Sequence, residues 1–482
     1  MGELAEECGV RVHLEQVPLK YAGLKPWEIW LSEAQERMVL AVPPKNKKKI
    51  AALFAAENVE ATFIGEFTND HKLTIFYGKD VVAELDMEFM HKGVPRPTRK
   101  AVWKHDRRDV KSSKGGKNAG HDLKKLLSLY NICSKEWIIR QYDHEVQGQT
   151  VIKPLQGPSP LTYGPGDAAV IWPYAVTAGR KRDEKDRFKG VVLSNGLNPE
   201  FGKIDPYWMA ASAIDEAMRN AVAVGADPTR IAILDNFCWG NPNRPEVLGS
   251  LVRASLACYD MAKAFETPFI SGKDSLHNEY AHGTKLFSIP PALLISAVGI
   301  VNDIRKTVTM DLKEPGNLLY VAGTTKAEMG GSHYNMLHRL TGGMLAQVDP
   351  KRSRALMIAL HGDIEKGIVR ACHDCSEGGL GVALAEMCFA GGRGVECSLS
   401  ALPVSGKLAP HELLFSESNS RFIIEVRPED GELFEKLMNG HALGLIGSVS
   451  SGKDLVITDG EKDIIAEDIG QLRAAWQKTL AW

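Results

Sequence analysis

Leu31-Ser-Glu-Ala-Gln-Glu-Arg-Met-Val-Leu-Ala-Val42 and Phe415-Ser-Glu-Ser-Asn-Ser-Arg-Phe-Ile-Ile-Glu-Val426 are two copies of one motif. They share Ser, Glu, Arg and the apolar strand that follows, and a repeat of this kind decides an architecture before any single element is placed. Ahead of them Leu4-Ala5-Glu6 matches Leu384-Ala385-Glu386; behind them Ile64-Gly65 matches Ile446-Gly447. The second copy continues upstream through the Gly-rich turn His373-Asp-Cys-Ser-Glu-Gly-Gly-Leu380, whereas the first begins at Met1 inside the equivalent helix. A half module exposes a sheet edge and an apolar face, so the expectation is a chain that works as part of a larger assembly.

The rest of the composition is that of an ordinary globular protein: 482 residues, 44% hydrophobic and 24% charged. This excludes disordered, collagen-like and disulfide-scaffold classes and gives room for about three domains. With 58 basic against 60 acidic residues the net charge is −2. No global field draws the chain to nucleic acid or membrane, and any polyanion must be held by a local site. The eight cysteines, several in apolar or helical patterns such as Cys258 and Cys388, read as reduced. Cys372-x-x-Cys375 lacks a second pair at zinc spacing and reads as structural. The N-terminus lacks the basic and apolar blocks of a signal peptide. The most apolar stretch, Phe287 to Val301, contains Pro290-Pro291 and falls short of the roughly 20 residues a membrane span needs. A cytoplasmic location is expected.

Between the copies, Lys92 to Lys125 reads as a basic loop or linker, with Lys111-Ser-Ser-Lys-Gly-Gly-Lys117 suiting either a solvated connection or an anion-binding lid. The spacing of Leu123, Leu126, Leu127 and Tyr130 predicts a helix from Asp122. Strands are expected over Ala168–Trp172, Gly190–Ser194 and Ile231–Leu234. A helix is expected over Pro206–Val224 with Met209, Ala213, Ala217 and Ala221 inward.

Four constellations could carry chemistry. In Gly164-Pro-Gly-Asp167, backbone amides and a carboxylate ahead of an apolar strand suit phosphate and Mg²⁺, though an ordinary turn fits as well. In Asp215-Glu216-x-x-Arg219-Asn220, Glu216 and Asn220 lie one turn apart and can aim oxygen ligands at one cation, against the alternative of a solvated helix face. Ser271-Gly-Lys-Asp-Ser275 reads as a tight turn suited to an anion; it lacks P-loop spacing. Asp374-Cys-Ser376-Glu-Gly-Gly-Leu380 places a carboxylate and a hydroxyl ahead of a helix N-terminus. Four such motifs in one chain of neutral charge favour a nucleotide-using enzyme over a scaffold. No nucleophile triad is evident. His121, His277, His333 and His373 lack zinc spacing and read mostly as surface or structural histidines.

These segments, with Trp27-Glu-Ile-Trp-Leu-Ser-Glu-Ala-Gln-Glu-Arg-Met38, Ser134-Lys-Glu-Trp-Ile-Ile-Arg-Gln-Tyr-Asp-His-Glu-Val146, Asp205-Pro-Tyr207, Ser212-Ala-Ile-Asp-Glu-Ala217, Gly272-Lys-Asp-Ser-Leu276 and Leu414-Phe-Ser-Glu-Ser418, resemble the phosphoribosylformylglycinamidine synthase large subunit over nearly the whole chain. The resemblance implies an α/β fold of aminoimidazole ribonucleotide synthetase-like domains, the second half complete and the first truncated. Residues 1–95 would be part of the first C-terminal-type module and 96–149 a basic linker and helix. Residues 150–303 would form the second N-terminal-type domain and 304–482 the second C-terminal-type module. The domain that supplies the family's histidine base and much of its ATP site is then missing, so no catalytic residue is assigned.

By the same resemblance Glu33, Ala34, Gln35 and Ser275 would contact substrate, with Ala34 standing where the family has serine. Asp235, Gly272, Lys273 and Ser376 would contact nucleotide; an ammonium cannot ligate Mg²⁺, so Lys273 is not carried over as a metal ligand. Asp167, Glu216, Asn220 and Asp374 would hold metal at an auxiliary nucleotide site. The implied cofactors are ATP and Mg²⁺. The implied reaction is the ATP-dependent conversion of formylglycinamide ribonucleotide to its amidine with glutamine-derived ammonia, a ligase step of purine synthesis. The partners would be an N-terminal synthase half, a glutaminase subunit and the small-molecule substrate, with no nucleic acid and no membrane. The alternative is a non-catalytic nucleotide-binding remnant of that enzyme. Single-copy relatives of the architecture, such as thiamine-monophosphate kinase and selenophosphate synthetase, fit poorly because the module occurs twice.

Overall fold

The computed structural model describes residues 1–34, 37–104, 115–116, 118–160, 162–177, 186–341 and 343–482. The chain forms two compact units, Met1–Thr98 and Arg99–Trp482. Part of the expected basic loop, residues 105–114 and 117, lies outside the described residues. Among the described residues no helix is long and apolar enough to cross a membrane, and all eight cysteines are free thiols.

The first unit is built on β1 (Val10–His13), β2 (Gly65–Phe67), β3 (Lys72–Tyr77) and β4 (Asp80–Asp86) in the order β2-β1-β3-β4. β1 runs antiparallel to β2 and parallel to β3, and β3 is antiparallel to β4. Val10, Val12, Leu73 and Ile75 alternate inward and close a small core with Ala5, Leu14, Ile29 and Met87.

The second unit holds two larger sheets. One comprises β5 (Thr150–Ile152), β6 (Ala169–Ile171), β7 (Gly190–Leu197), β8 (Ala232–Cys238), β9 (Phe269–Ser275) and, after the hairpin β10 (Glu279–His282) and β11 (Lys285–Ser288), β12 (Ala292–Val301). Its order is β5-β6-β7-β12-β8-β9. β12 alternates buried and half-buried residues along all ten positions. The helix Pro206–Ala223 packs against β7 and β12. It starts at Asp205, whose carboxylate caps the Tyr207 amide at 3.0 Å, with Pro206 in the first position that tolerates proline. Met209, Ala213, Ala217 and Ala221 are fully buried, as their spacing predicts. Gly196 lets this helix and β7 approach: a Cβ there would lie 2.1 Å from the Ala213 carbonyl oxygen.

The other sheet contains β13 (Leu318–Ala322), β14 (Val369–Asp374), β15 (Gly394–Ser398), β16 (Phe422–Val426), β17 (Leu443–Ser450), β18 (Asp454–Asp459) and β19 (Lys462–Asp468), ordered β14-β16-β13-β17-β15-β18-β19. The helix Gly379–Gly391 is buried along its whole length, consistent with its apolar circumference.

The repeat is visible in the topology. The run β17-β15-β18-β19 has the same strand directions as β2-β1-β3-β4. The helices Pro26–Leu31 and Pro410–Phe415 both begin with proline and have a glutamate as third residue that reaches back over the helix start, Glu28 to the Lys25 amide at 2.7 Å and Glu412 to the Ala409 amide at 2.8 Å. One expectation fails here. The apolar segment after Arg37 is not a strand, and Met38, Val39 and Leu40 are exposed. Its counterpart β16 sits between β14 and β13, and the four-stranded sheet of the first unit has no strand in either role. An extended segment without a ladder partner does not register as strand.

Two smaller readings also change. Leu123, Leu126 and Leu127 are buried on the helix Ala119–Leu127, but Tyr130 falls after its end and is exposed. Ser271–Ser275 is not a tight turn: it continues β9, extended along the sheet edge.

Candidate functional site

Three of the four constellations converge on one cavity of about 390 Å³ in the second unit, lined by Asp167, Glu216, Asn220, Asp374 and Ser376. Asp167 closes the loop that leads into β6; Glu216 and Asn220 project from the helix Pro206–Ala223. Asp374 ends β14, and Ser376 lies in the turn before the helix Gly379–Gly391. That turn passes through Gly378 and Gly379 at φ of 78° and 67°, a conformation that glycine adopts without Cβ strain.

The four metal candidates are buried, which removes the solvated-face reading of Glu216 and Asn220. Glu216 Oε2 accepts from the Leu197 amide at 3.0 Å and from Asn198 Nδ2 at 3.1 Å. Asn220 Nδ2 donates to the Asn195 carbonyl at 3.0 Å, leaving Oδ1 buried without a partner. Asp167 Oδ1 accepts from the Asp374 amide at 3.0 Å while Oδ2 is likewise buried and unpartnered. Orphaned buried oxygens next to further carboxylates are what a hard divalent cation satisfies. This oxygen set therefore fits Mg²⁺, which would be held by Asp167, Glu216, Asn220 and Asp374.

Electrostatics around the cavity follow from burial. Desolvation pushes Glu216 well above the usual carboxylate range, reinforced by Glu377 and Asp374. Asp374 is raised to about 6 by burial, with Arg219 opposing and Asp167 adding to the rise. Arg219, fully buried, is ion-paired to Asp215 through Nη1 and to Asp374 through Nη2 at 3.2 Å.

Three contributors had no site role in the sequence reading, His373 being read there as a surface or structural histidine. His373 lies buried between Asp167 (Nδ1 to Oδ1, 2.8 Å) and Glu386 (Nε2 to Oε2, 3.2 Å). Burial alone would lower its pKa; the Asp167 and Glu386 carboxylates hold it well above the ordinary value. It is a charged orienting partner of Asp167, although its donor atom lies within 4.8 Å of those of Asp167 and Asp374. Lys135 also lines the cavity, its Nζ donating to the Cys133 carbonyl at 2.5 Å. Arg219 stood inside a quoted motif without a role.

His333 is buried as well. Its backbone amide and Nδ1 bond Glu417 Oε1 at 2.8 and 2.9 Å, and the same oxygen accepts from Gly378 at 2.8 Å. Burial disfavours the imidazolium, but Glu417 overcomes this and raises the pKa to about 9. The folded state then prefers the proton more than the unfolded chain does. The resulting stability is full below about pH 6.5 and is lost as pH rises through about 9. Denaturation midpoints of the wild type should drop across that window by the equivalent of about 3 kcal/mol, and His333→Gln should flatten the drop. Parallel curves for the two proteins would sink this assignment.

The remaining candidates lie elsewhere. Asp235 on β8 pairs with Gly272 on β9, where a Cβ would sit 2.4 Å from Asp235 Oδ1. Burial, then the Asp274 charge, raises Asp235. Lys273 Nζ donates to Ser275 Oγ at 2.6 Å. Gly272 and Lys273 are exposed on the edge strand, outside the cavity. Glu33 and Ala34 are exposed in the first unit, and Gln35 lies outside the described residues.

The chain matches the family described as AIR synthase related protein, C-terminal domain, over residues 1–78 and 314–460, and the corresponding N-terminal domain over residues 166–301. It is 33% identical over 97% of its length to the phosphoribosylformylglycinamidine synthase subunit PurL of Thermococcus sibiricus, covering 61% of that protein. To the same subunit of Methanocaldococcus jannaschii it is 34% identical over 98% of its length, covering 62%. The chain thus spans about three fifths of the length of the curated relatives it matches. Among solved structures, PurL of T. maritima complexed with ATP is similar at a TM-score of 0.59 and 20% identity, covering 93% of this chain and 61% of that one. Its complex with FGAR is similar at 0.55 and 17%, covering 73% and 53%. These likenesses show the fold.

Proposed function

Because the chain belongs to the AIR synthase-related family, with the N-terminal and C-terminal domain types both present, we propose that it is the C-terminal portion of a phosphoribosylformylglycinamidine synthase subunit, a ligase of purine synthesis. The observation that carries this reading is the buried cluster Asp167, Glu216, Asn220 and Asp374, with its orphaned oxygens and Lys135 in the same cavity. Relatives that are named for the synthase support it.

In this reading the cavity is an auxiliary nucleotide site, with Ser376 and Lys135 directed to phosphate oxygens. A bound Mg²⁺ would supply neutralisation of phosphate charge there. His373 holds Asp167 in place and Arg219 keeps Asp374 ionised at neutral pH. By the resemblance, Glu33, Ala34, Gln35 and Ser275 would contact substrate, and Asp235, Gly272 and Lys273 would contact nucleotide. ATP would phosphorylate the amide oxygen of formylglycinamide ribonucleotide, releasing ADP, and ammonia would then displace phosphate. A glutaminase partner would supply that ammonia, and a complementing N-terminal half the missing base, in the cytoplasm. The four-part division at residues 95, 149 and 303 belongs to the same proposal.

The test is ATP- and ammonia-dependent phosphate release with formylglycinamide ribonucleotide, using the chain alone and then mixed with the separately expressed N-terminal half of a PurL relative. Turnover is expected only in the mixture. Full turnover by the single chain would refute the need for a complement. Nucleotide binding without turnover in either arm would favour the non-catalytic remnant.

A further inference from the structure

A second cavity of the same unit, about 370 Å³, shares no lining residue with the first. Lys326, Arg352 and the His441 imidazole face it against one carboxylate, Asp349. Arg352 is paired to Asp349 at 3.4 Å but is 90% exposed, and Lys326 is paired to Glu328 at 3.6 Å. The exposed Arg352–Asp349 pair is weak and yields to an anion, while the ammonium of Lys326, partly exposed beside the buried Glu328, has further N–H donors to offer it. The sixteen-residue helix Pro350–Glu365 begins here, with Asp349 as its cap. Its N-terminus adds a positive dipole end.

A buried donor points to a ligand independently of these charges. Asn419 is 8% exposed and lines the cavity. Its Oδ1 accepts from Ser212 Oγ at 2.7 Å and from Arg219 Nη1 at 3.4 Å. A guanidinium can only donate, so these bonds fix which way the amide faces. Nδ2 is left buried with no hydrogen-bond partner, a state that native structures seldom leave unanswered.

We propose that this cavity binds a small phosphate monoester, its phosphate accepting from Asn419 Nδ2 and lying between Lys326 and Arg352 at the helix N-terminus. A phosphate dianion matches two cations and offers enough acceptor oxygens for all of these donors. The cavity volume leaves room beyond the phosphate for a pentose-sized group. The site stands apart from the proposed synthase chemistry and does not depend on it.

Calorimetric titration of the full chain, without nucleotide or divalent cation, tests this with ribose 5-phosphate, ribose and inorganic phosphate as titrants. Ribose 5-phosphate is expected to bind the wild type, and ribose not to bind. Arg352→Glu, at an exposed position that folding does not depend on, should weaken binding by roughly tenfold or more, and Asn419→Asp likewise. No binding to the wild type, or affinity unmoved by both substitutions, would overturn the site. Inorganic phosphate binding as tightly as the ester would overturn the assignment to an ester.

Discussion

Arg219→Met is expected to destabilise the second unit by about 3–5 kcal/mol, the cost of stripping a buried ion pair of one partner. The guanidinium is ion-paired to Asp215 and Asp374, and Glu216 is among the charges that raise its pKa. Asp215 would keep neutral donors, Ser353 Oγ at 2.5 Å and Ser420 N and Oγ at 3.0 and 2.9 Å. Asp374 would keep only the Ser376 hydroxyl at 3.5 Å and the His373 Nδ1 at 4.0 Å. It would face Asp167 and Glu216 without the main cation that opposes its rise, with only His373 left to do so. The deficit should therefore shrink on acidification, as Asp374 and Glu216 take up protons, and on adding Mg²⁺. Arg219→Lys should recover only part of the loss, because one ammonium cannot reproduce a fork that spans two carboxylates. Urea denaturation at pH 5.5 and 7.5 measures all three effects. A loss below about 1 kcal/mol for Arg219→Met at pH 7.5 would mean that these carboxylates are already protonated in the folded state.

The case of Arg219 shows what the sequence could and could not convey. The repeat was legible because its markers, Ser, Glu and Arg, sit at turns and caps where local chemistry dictates residue type. The helix Pro206–Ala223 was legible because its inward positions follow the helical period. Spacing places Glu216 and Asn220 on one face, but only the tertiary fold brings Asp167 and Asp374 to them, from positions 49 residues before and 158 after Glu216. His373 was read only as a surface or structural histidine for the same reason, since its partners Asp167 and Glu386 are distant in the chain and its burial is decided by packing. Ser271–Ser275 misled in the opposite direction. Its Gly, Lys, Asp and Ser are turn formers, yet pairing with β8 holds the segment extended, an override of local propensity by the ladder. The segment after Arg37 erred because an apolar run specifies a strand only where neighbouring strands exist to pair with it.

The second large effect concerns the cation itself. Asp374→Asn should weaken Mg²⁺-dependent ADP binding at pH 7.5 by about 100-fold, at least the cost of losing an outer-shell partner of a metal ligand. An amide keeps the shape and one oxygen but surrenders the charge that two unpartnered oxygens, Asp167 Oδ2 and Asn220 Oδ1, cannot replace. The pH dependence gives a sharper test than the loss alone. The folded value of about 6 lies above the ordinary carboxylate value, so in the cation-free protein the ionised form is disfavoured and acidification from pH 7 relieves that strain. Mg²⁺ binds only the ionised form, so its affinity for the wild type should fall by up to about tenfold per pH unit below 6. The variant, with nothing to titrate at this position, should show a shallower slope. Thermal shift with Mg²⁺ and ADP at pH 5, 6 and 7.5 reads both quantities in one series. Equal slopes for wild type and Asp374→Asn would place the cation elsewhere, whereas a shared loss of binding below pH 6 with no difference at pH 7.5 would leave Asp374 a structural partner of Arg219 alone.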